Sequence, residues 1–260
     1  VTSPSEYQAV DVDDALRESM MDVDSWAFGF TTEADADAAH MSVVPWERAR
    51  AMRAADGSLA ACHSSYPYEM RVPGGGTIAT SGLTWVGVHP AHRRRGLLRT
   101  MIADHFERSL GRGEPISTLY AAETRIYQRF GYGLACPAYS LKLGRTPELR
   151  EVEGSDALRV TLENADLETH AQIVREVLAR SPRPGHHATV SDASVTNMFI
   201  DPESWRDGAE RKRFATVYDE DGALAFATFS RKSKWSDAGP EGTLTVWQWA
   251  AVGAAATRRL

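Results

Sequence analysis

Residues 84–99, Thr84-Trp-Val-Gly-Val-His-Pro-Ala-His-Arg-Arg-Arg-Gly-Leu-Leu-Arg99, pass from a β-type run through a short turn and three arginines to one glycine, then into an amphipathic helix. A strand that feeds a helix start leaves several backbone N–H groups without intrahelical partners, and they point at whatever sits in front of the helix. Gly96 carries no side chain to keep a bulky phosphate away from the main chain. Arg93, Arg94, Arg95 and Arg99 add positive charge. The combination predicts a polyanion cradle of the kind the pyrophosphate of a nucleotide-containing cofactor needs.

The sequence on either side reads as sheet and helix in alternation. Leu59 to Met70 has strand character, Val72 to Thr77 is a glycine-rich turn, and Ile78 to Val88 is the strand that delivers the arginines. Leu97, Leu98, Met101, Ile102, His105 and Phe106 repeat at helical spacing until Gly111-Arg-Gly113 ends the run. A strand over Ile116 to Ala122, a short helix over Thr124 to Phe130, a Gly131-Tyr-Gly133 turn and a last strand over Pro137 to Leu143 follow. Upstream, a short first strand precedes a helix from Asp11 to Asp24, and residues 33–55 read as further helix interrupted at Pro45. This order specifies an α/β domain with a mixed sheet.

A second unit begins near Ala157 and repeats the order of the first. It has a strand at Leu158 to Glu163, a helix at 166–179, a Pro-rich loop from Ser181 to Gly185 and a helix near 192–200. Strands at 214–219, 223–231 and 243–251 complete it, the first two joined by the hairpin signal Asp219-Glu-Asp-Gly222. The expected organisation is therefore two units in tandem, residues 1–150 and 151–260. Only the first has the arginine–glycine cradle. The second reads as incomplete, because the chain stops where a helix should start and the first unit continues well beyond that point. The second unit is therefore expected to be either degenerate or cut short.

Composition narrows the function classes. Hydrophobic residues make up 43% and charged residues 25% of 260, and no segment approaches the roughly 18 apolar residues of a membrane span. No basic and apolar leader pattern opens the sequence, so a cytoplasmic protein is expected. With 29 Lys+Arg against 35 Asp+Glu the formal charge is −6, which argues against nucleic acid as the partner and suits a cationic small molecule. Cys62 and Cys136 are far apart and read as buried free thiols. The histidines are scattered and His186-His187 has no third ligand at metal spacing, so no metal is expected. Gly74-Gly-Gly-Thr-Ile-Ala79 matches a dinucleotide fingerprint by letters only, since it leads into a strand and not a helix.

A second chemical signal is Glu123-Thr-Arg-Ile-Tyr-Gln-Arg-Phe-Gly-Tyr132. Helical spacing places Ile126 and Phe130 toward the core and Tyr127 toward a cleft. A phenol of ordinary pKa about 10 is a suitable proton donor to a departing alkyl thiolate of similar basicity. An ordinary packed tyrosine is the competing reading. Trp26, Phe28 and Phe30, interleaved with Asp22 and Asp24, could wall an acceptor pocket through cation–π and carboxylate contacts, or could equally be a helix end packed into the core.

His92-Arg-Arg-Arg-Gly-Leu-Leu-Arg99 taken with Ile126-Tyr-Gln-Arg-Phe-Gly-Tyr-Gly133 resembles the GNAT acetyltransferases, and within them the Eis (enhanced intracellular survival) group of actinobacteria. The likeness is specific over roughly 80–145 and diffuse elsewhere; Leu98 departs from the usual small residue of the phosphate motif. It implies a GNAT fold with two GNAT-like units, only the first of which binds acetyl-CoA. It also implies that Val86, Gly87 and Val88 offer main-chain groups to the pantetheine arm and acetyl carbonyl, and that Arg93 to Arg99, with Gly96, Leu97 and Leu98, hold the pyrophosphate. Ala122 and Glu123 would line the cofactor near the thioester, and Tyr127 would be the general acid. Asp24, Trp26 and Phe28 are the expected acceptor contacts. The family's longer chains end in a sterol-carrier-like domain whose C-terminal carboxylate is the general base, and they assemble as hexamers. The expected activity is acetyl transfer from acetyl-CoA to amines of cationic acceptors such as polyamines or aminoglycosides. The alternative is an acyl-CoA-binding sensor that transfers nothing.

Overall fold

The computed structural model describes residues 6–260 except Thr32, Ala138, Arg145, Thr146, Pro182 and Ala238. The first half contains β1 (Tyr7–Asp11), α1 (Arg17–Phe28), α2 (Ala34–Val43), β2 (Arg50–Ala54), β3 (Leu59–Arg71), β4 (Thr77–Val88), α3 (Leu97–Gly111) and β5 (Ile116–Thr118). The second contains β6 (Arg159–Asn164), α4 (Leu167–Arg180), β7 (His187–Val190), α5 (Asp192–Phe199), β8 (Arg213–Asp219), β9 (Gly222–Lys232), two short strands β10 (Trp235–Ser236) and β11 (Gly239–Pro240), β12 (Thr243–Ala251) and α6 (Gly253–Arg259).

The first sheet runs β1-β2-β3-β4-β5, antiparallel except for the parallel β4–β5 pair, so the mixed sheet is as expected. Met20, Val23, Ala51, Leu59 and Cys62 pack between the sheet and α1, while Ala61, Leu97 and Met101 pack it against α3. Several boundaries differ from the sequence reading. Residues 11–16 are a strand end and a single 3₁₀ turn, and α1 starts only at Arg17. The tail of the 33–55 segment is β2 and not helix: Arg50 to Ala54 are residue types that favour helices, but β1 and β3 pair with them from both sides. Pairing after Thr118 is not formed, and the strand expected over 137–143 is absent among its described residues, which lie exposed; Ala138 falls outside them.

The second sheet, β12-β9-β8-β6, is antiparallel. Val174 and Val177 of α4 pack on Phe214 and Phe226 on one face, and α6 brings Ala256 and Leu260 to Val217 and Ala225. A strand not expected from the sequence crosses between the halves. β7 leaves the second half and pairs antiparallel with Tyr68, Glu69 and Met70 of β3, giving the first sheet a sixth strand. The His187 ring stacks on Tyr68 at 3.9 Å, and Ser194 donates to the Tyr68 hydroxyl at 2.9 Å. Between them, Arg71 N donates to His186 O and Gly185 N donates back to Arg71 O. Pro182, within the expected Pro-rich loop, lies outside the described residues. No helix among the described residues is long and apolar enough to cross a membrane.

Candidate active site

β4 is the rail of the site. β5 pairs with it only at Thr80, Ser81 and Gly82, whereas β4 continues six residues further to Val88. Beyond Gly82 the two strands part, so the β5-side edge of Leu83 to Val88 has no strand partner among the described residues. Such an edge offers N–H and C=O groups to an extended ligand that carries amides of its own. Opposite Cys62 and Ser64, β4 also carries one extra residue; the bulge places Trp85 at φ 54°. Gly87 lies where α1 crosses the strand, and a Cβ there would stand 3.2 Å from Ala27 Cβ and 3.4 Å from Cys62 Sγ. Val86, Gly87 and Val88 are thus main-chain positions on an open strand edge.

The rail ends in the cradle. After a 3₁₀ turn at Pro90–His92, Arg94 (φ 63°) and Gly96 (φ 83°) both adopt the left-handed conformation, and Gly96 caps the 15-residue α3. A left-handed residue next to one of ordinary conformation turns adjacent N–H groups to one side. The N–H groups of Arg94, Arg95 and Gly96 have no backbone or side-chain acceptor among the described residues. Those of Leu97 and Leu98, the first two residues of the helix, have none within it. These five N–H groups and the positive end of the α3 dipole are an arrangement that can receive an anion.

The arginines divide between two tasks. Arg93 donates to Ala27 O at 3.1 Å and Val88 O at 3.5 Å, bracing the loop against α1. Arg95 donates to the Tyr7 hydroxyl at 3.0 Å. Both side chains are exposed while making these contacts with the protein. Arg94 is exposed and makes no hydrogen bond or ion pair among the described residues; Arg99 lies 5.9 Å above the Phe130 ring.

Tyr127 sits between two 3₁₀ turns, Thr124–Ile126 and Gln128–Phe130, closed by Gly131 at φ 94°. Its phenol is half-buried, and burial pushes its pKa above the ordinary value. Ile126 and Phe130 are half-buried as well and do not reach the core; Ala122 and Glu123 are exposed. The ring of Tyr127 meets that of Tyr132 edge-on at 5.8 Å.

The expected acceptor wall is not assembled. Asp24 is 5% exposed, whereas Trp26 and Phe28 are 57% and 54% exposed. Residues two apart on a helix lie about 200° apart around its axis, so Asp24 and Trp26 cannot share a face. Asp24 has no hydrogen-bond partner among the described residues, and its burial lifts its pKa to about 6. Trp26 packs on His89 at 5.4 Å. A different aromatic group stands at the bulge: His40 of α2 packs against Trp85 (5.7 Å), Phe30 (5.9 Å) and Trp205 of the second half (4.7 Å). Only the tertiary fold brings these four together. Of the two thiols, Cys62 is buried as expected, with burial raising its pKa, but Cys136 is exposed. Among the described residues no cluster of three or more His, Cys, Asp or Glu could hold a metal.

A mixed sheet that splays between its fourth and fifth strands, with a bulge and, beyond it, a helix start that can receive an anion, defines the GNAT class of acyltransferases. Residues 11–135 match the acetyltransferase (GNAT) domain family, and the chain carries a domain of that family. It is 32% identical over 210 residues to an N-acetyltransferase of Streptomyces coelicolor, across 79% of this chain and 49% of the relative. It is 46% identical over 76 residues to the N-acetyltransferase Eis of Mycobacterium tuberculosis, 29% of this chain and 19% of that one. The crystal structure of Eis1 from Mycobacterium abscessus superposes with a TM-score of 0.67 at 21% identity, covering 98% of this chain and 61% of that structure. The chain thus spans about half the length of the Streptomyces relative.

Proposed function

We propose that this protein is an acetyl-CoA-dependent N-acetyltransferase that acts on amines of cationic acceptors. The observation that carries the reading is the continuous path from the unpaired β4 edge to five free N–H groups at the start of α3. Pantetheine is an extended chain with two amides, suited to a strand edge, and the pyrophosphate suits the N–H cradle with Arg94 and Arg99 beside it. The thioester would then lie near the bulge, between Tyr127 and the aromatic group of Trp85, His40, Phe30 and Trp205. A neutral amine attacks the thioester carbonyl, the C–N bond forms as the C–S bond breaks, the Tyr127 hydroxyl gives its proton to the departing thiolate, and the proton lost by the amine nitrogen passes to solvent, from which the phenol is reprotonated. Aromatic faces and a formal charge of −6 favour a cationic acceptor.

The test pairs calorimetric binding of acetyl-CoA with release of free CoA thiol in the presence of spermidine. Binding together with spermidine-dependent thiol release supports the proposal. Binding without release, across a screen of polyamines and aminoglycosides, would assign the site to an acyl-CoA-binding module. Absence of binding would remove acetyl-CoA from the account.

A further inference from the structure

The Tyr127 segment has little to hold it. Its two 3₁₀ turns pair with no strand, and its apolar side chains Ile126 and Phe130 stay half-exposed. What ties it to the domain is a hydrogen-bonded chain that neither motif contains. Tyr132 OH lies 2.6 Å from Ser117 Oγ, and Ser117 Oγ lies 2.7 Å from His105 Nε2. Ser117 is on β5, paired with Ser81 of β4, and His105 is a buried residue of α3. The chain therefore spans helix, sheet and loop. At its loop end, the Tyr132 ring meets Tyr127 edge-on at 5.8 Å and packs on Phe106 at 5.6 Å.

The groups around His105 set its charge. Its pKa is pushed down to about 3, by burial first and then by the nearby His63, Arg112 and Arg48, against the smaller opposing pull of Glu114. His105 is thus neutral at physiological pH. A neutral imidazole has one donor and one acceptor nitrogen; in the tautomer protonated at Nδ1, Nε2 accepts from Ser117 and Ser117 accepts from Tyr132. Arg99 and Arg129 flank the loop at the Phe130 ring, 5.9 and 5.1 Å away.

We propose that Tyr132 is the positioning residue for Tyr127, held through Ser117 by His105 so that the Tyr127 phenol stays half-buried against the Tyr132 ring. The proposal rests on reading Tyr127 as the proton donor. A phenol that swings free rehydrates, and it loses both its raised pKa and its aim at the thiolate.

The experiment uses the whole chain labelled with 13C at tyrosine Cζ, which reports each phenol's ionisation directly, alongside kinetics with acetyl-CoA and spermidine. In Tyr132→Phe and in Ser117→Ala, the Tyr127 midpoint should fall toward the ordinary tyrosine value. Ser117→Thr, which keeps the hydroxyl, should leave it in place. The same two disruptive variants should lower kcat about tenfold, with the KM for acetyl-CoA changed less than about twofold. An unmoved Tyr127 midpoint in Tyr132→Phe would overturn the positioning role, even with a lowered kcat. If the midpoints shift as described but Tyr127→Phe turns over like the parent protein, the proton-donor reading fails and takes the role of Tyr132 with it.

Discussion

At the residue scale, the two most exacting positions are Gly96 and Asp24, for opposite reasons. A Cβ on Gly96 would meet no protein atom within 4 Å, so space in the protein is not what demands glycine. Its φ of 83° is what demands it, together with the approach of a phosphate to the N–H groups on either side. Gly96→Val should therefore leave the core intact and raise the acetyl-CoA Kd more than about tenfold, or about 1.4 kcal/mol, by calorimetry. Asp24 instead reports on stability. Its pKa rises from 3.8 to about 6 on folding, so the folded state favours the protonated form. Full stability is present below the unfolded pKa near 4 and is lost as pH rises toward 6. Asp24→Asn should raise stability at pH 7 by about 2–3 kcal/mol and give no such gain at pH 3.5, as read from urea denaturation at the two pH values.

At the element scale, the splay of β4 from β5 needs a firm base below the point of parting. Arg48 supplies it, donating from Nη1 and Nη2 to the two carboxylate oxygens of Glu114 at 2.8 and 2.6 Å, and also to Ser65 on β3 and Ser81 on β4. Both ion-pair partners are buried, so this clamp ties β3, β4 and the segment after α3 together. Burial alone would raise the Glu114 pKa, but hydrogen bonds and charge from Arg48, with Arg112, hold it below the ordinary value. Its contribution is thus present above the ordinary glutamate range and lost as pH falls below it. Arg48→Met leaves the carboxylate buried without its partner and should cost about 3–5 kcal/mol in chemical denaturation. The loop carrying Tyr127 is the opposite kind of element, lightly held and chemically committed. Tyr127→Phe removes one hydroxyl, and should lower kcat roughly 100-fold with the acetyl-CoA Kd unchanged. Equal thiol release by the two proteins would make Tyr127 a packing residue.

At the scale of the whole molecule, the halves are joined by more than the chain. β7 lends the first sheet a strand, Thr189 donates to Glu69 at 2.8 Å, and Ser204 N donates to Asp35 at 3.1 Å beside the Trp205–His40 contact. The second half thus covers one edge of the first sheet and supplies a ring to the aromatic group at the bulge. Residues 1–150 expressed alone should expose the β3 edge at Tyr68–Met70, associate or precipitate more readily than the whole chain, and unfold at a lower temperature. Equal Tm and monodispersity in light scattering would show that β7 is dispensable. If Arg94, Arg99 and the α3 dipole act on phosphate as proposed, binding of acetyl-CoA by the whole chain should weaken as salt is raised, because these charges are solvent-exposed.

What was legible in the sequence was local. Gly96 after an arginine run and before a periodic apolar helix reveals the start of α3, because capping geometry depends on adjacent residues. The alternation around it reveals a mixed α/β sheet, since side-chain period follows backbone conformation within each element. Residues 50–54 escaped that reading because their helix-favouring side chains say nothing of the strands on either side. The division of labour among Arg93, Arg94, Arg95 and Arg99 was equally hidden, since identical side chains are assigned their tasks by what lies within reach: Ala27 O for one, the Tyr7 hydroxyl for another. Asp24 and Trp26 read as neighbours in one dimension but are opposed around the α1 axis. The chain from Tyr132 through Ser117 to His105 joins residues 15 and 12 positions apart on three elements, and no local spacing encodes it. Local order determines which elements form and where α3 starts; contacts between distant segments decide which side chains remain free to act, because only packing sets their burial and their partners.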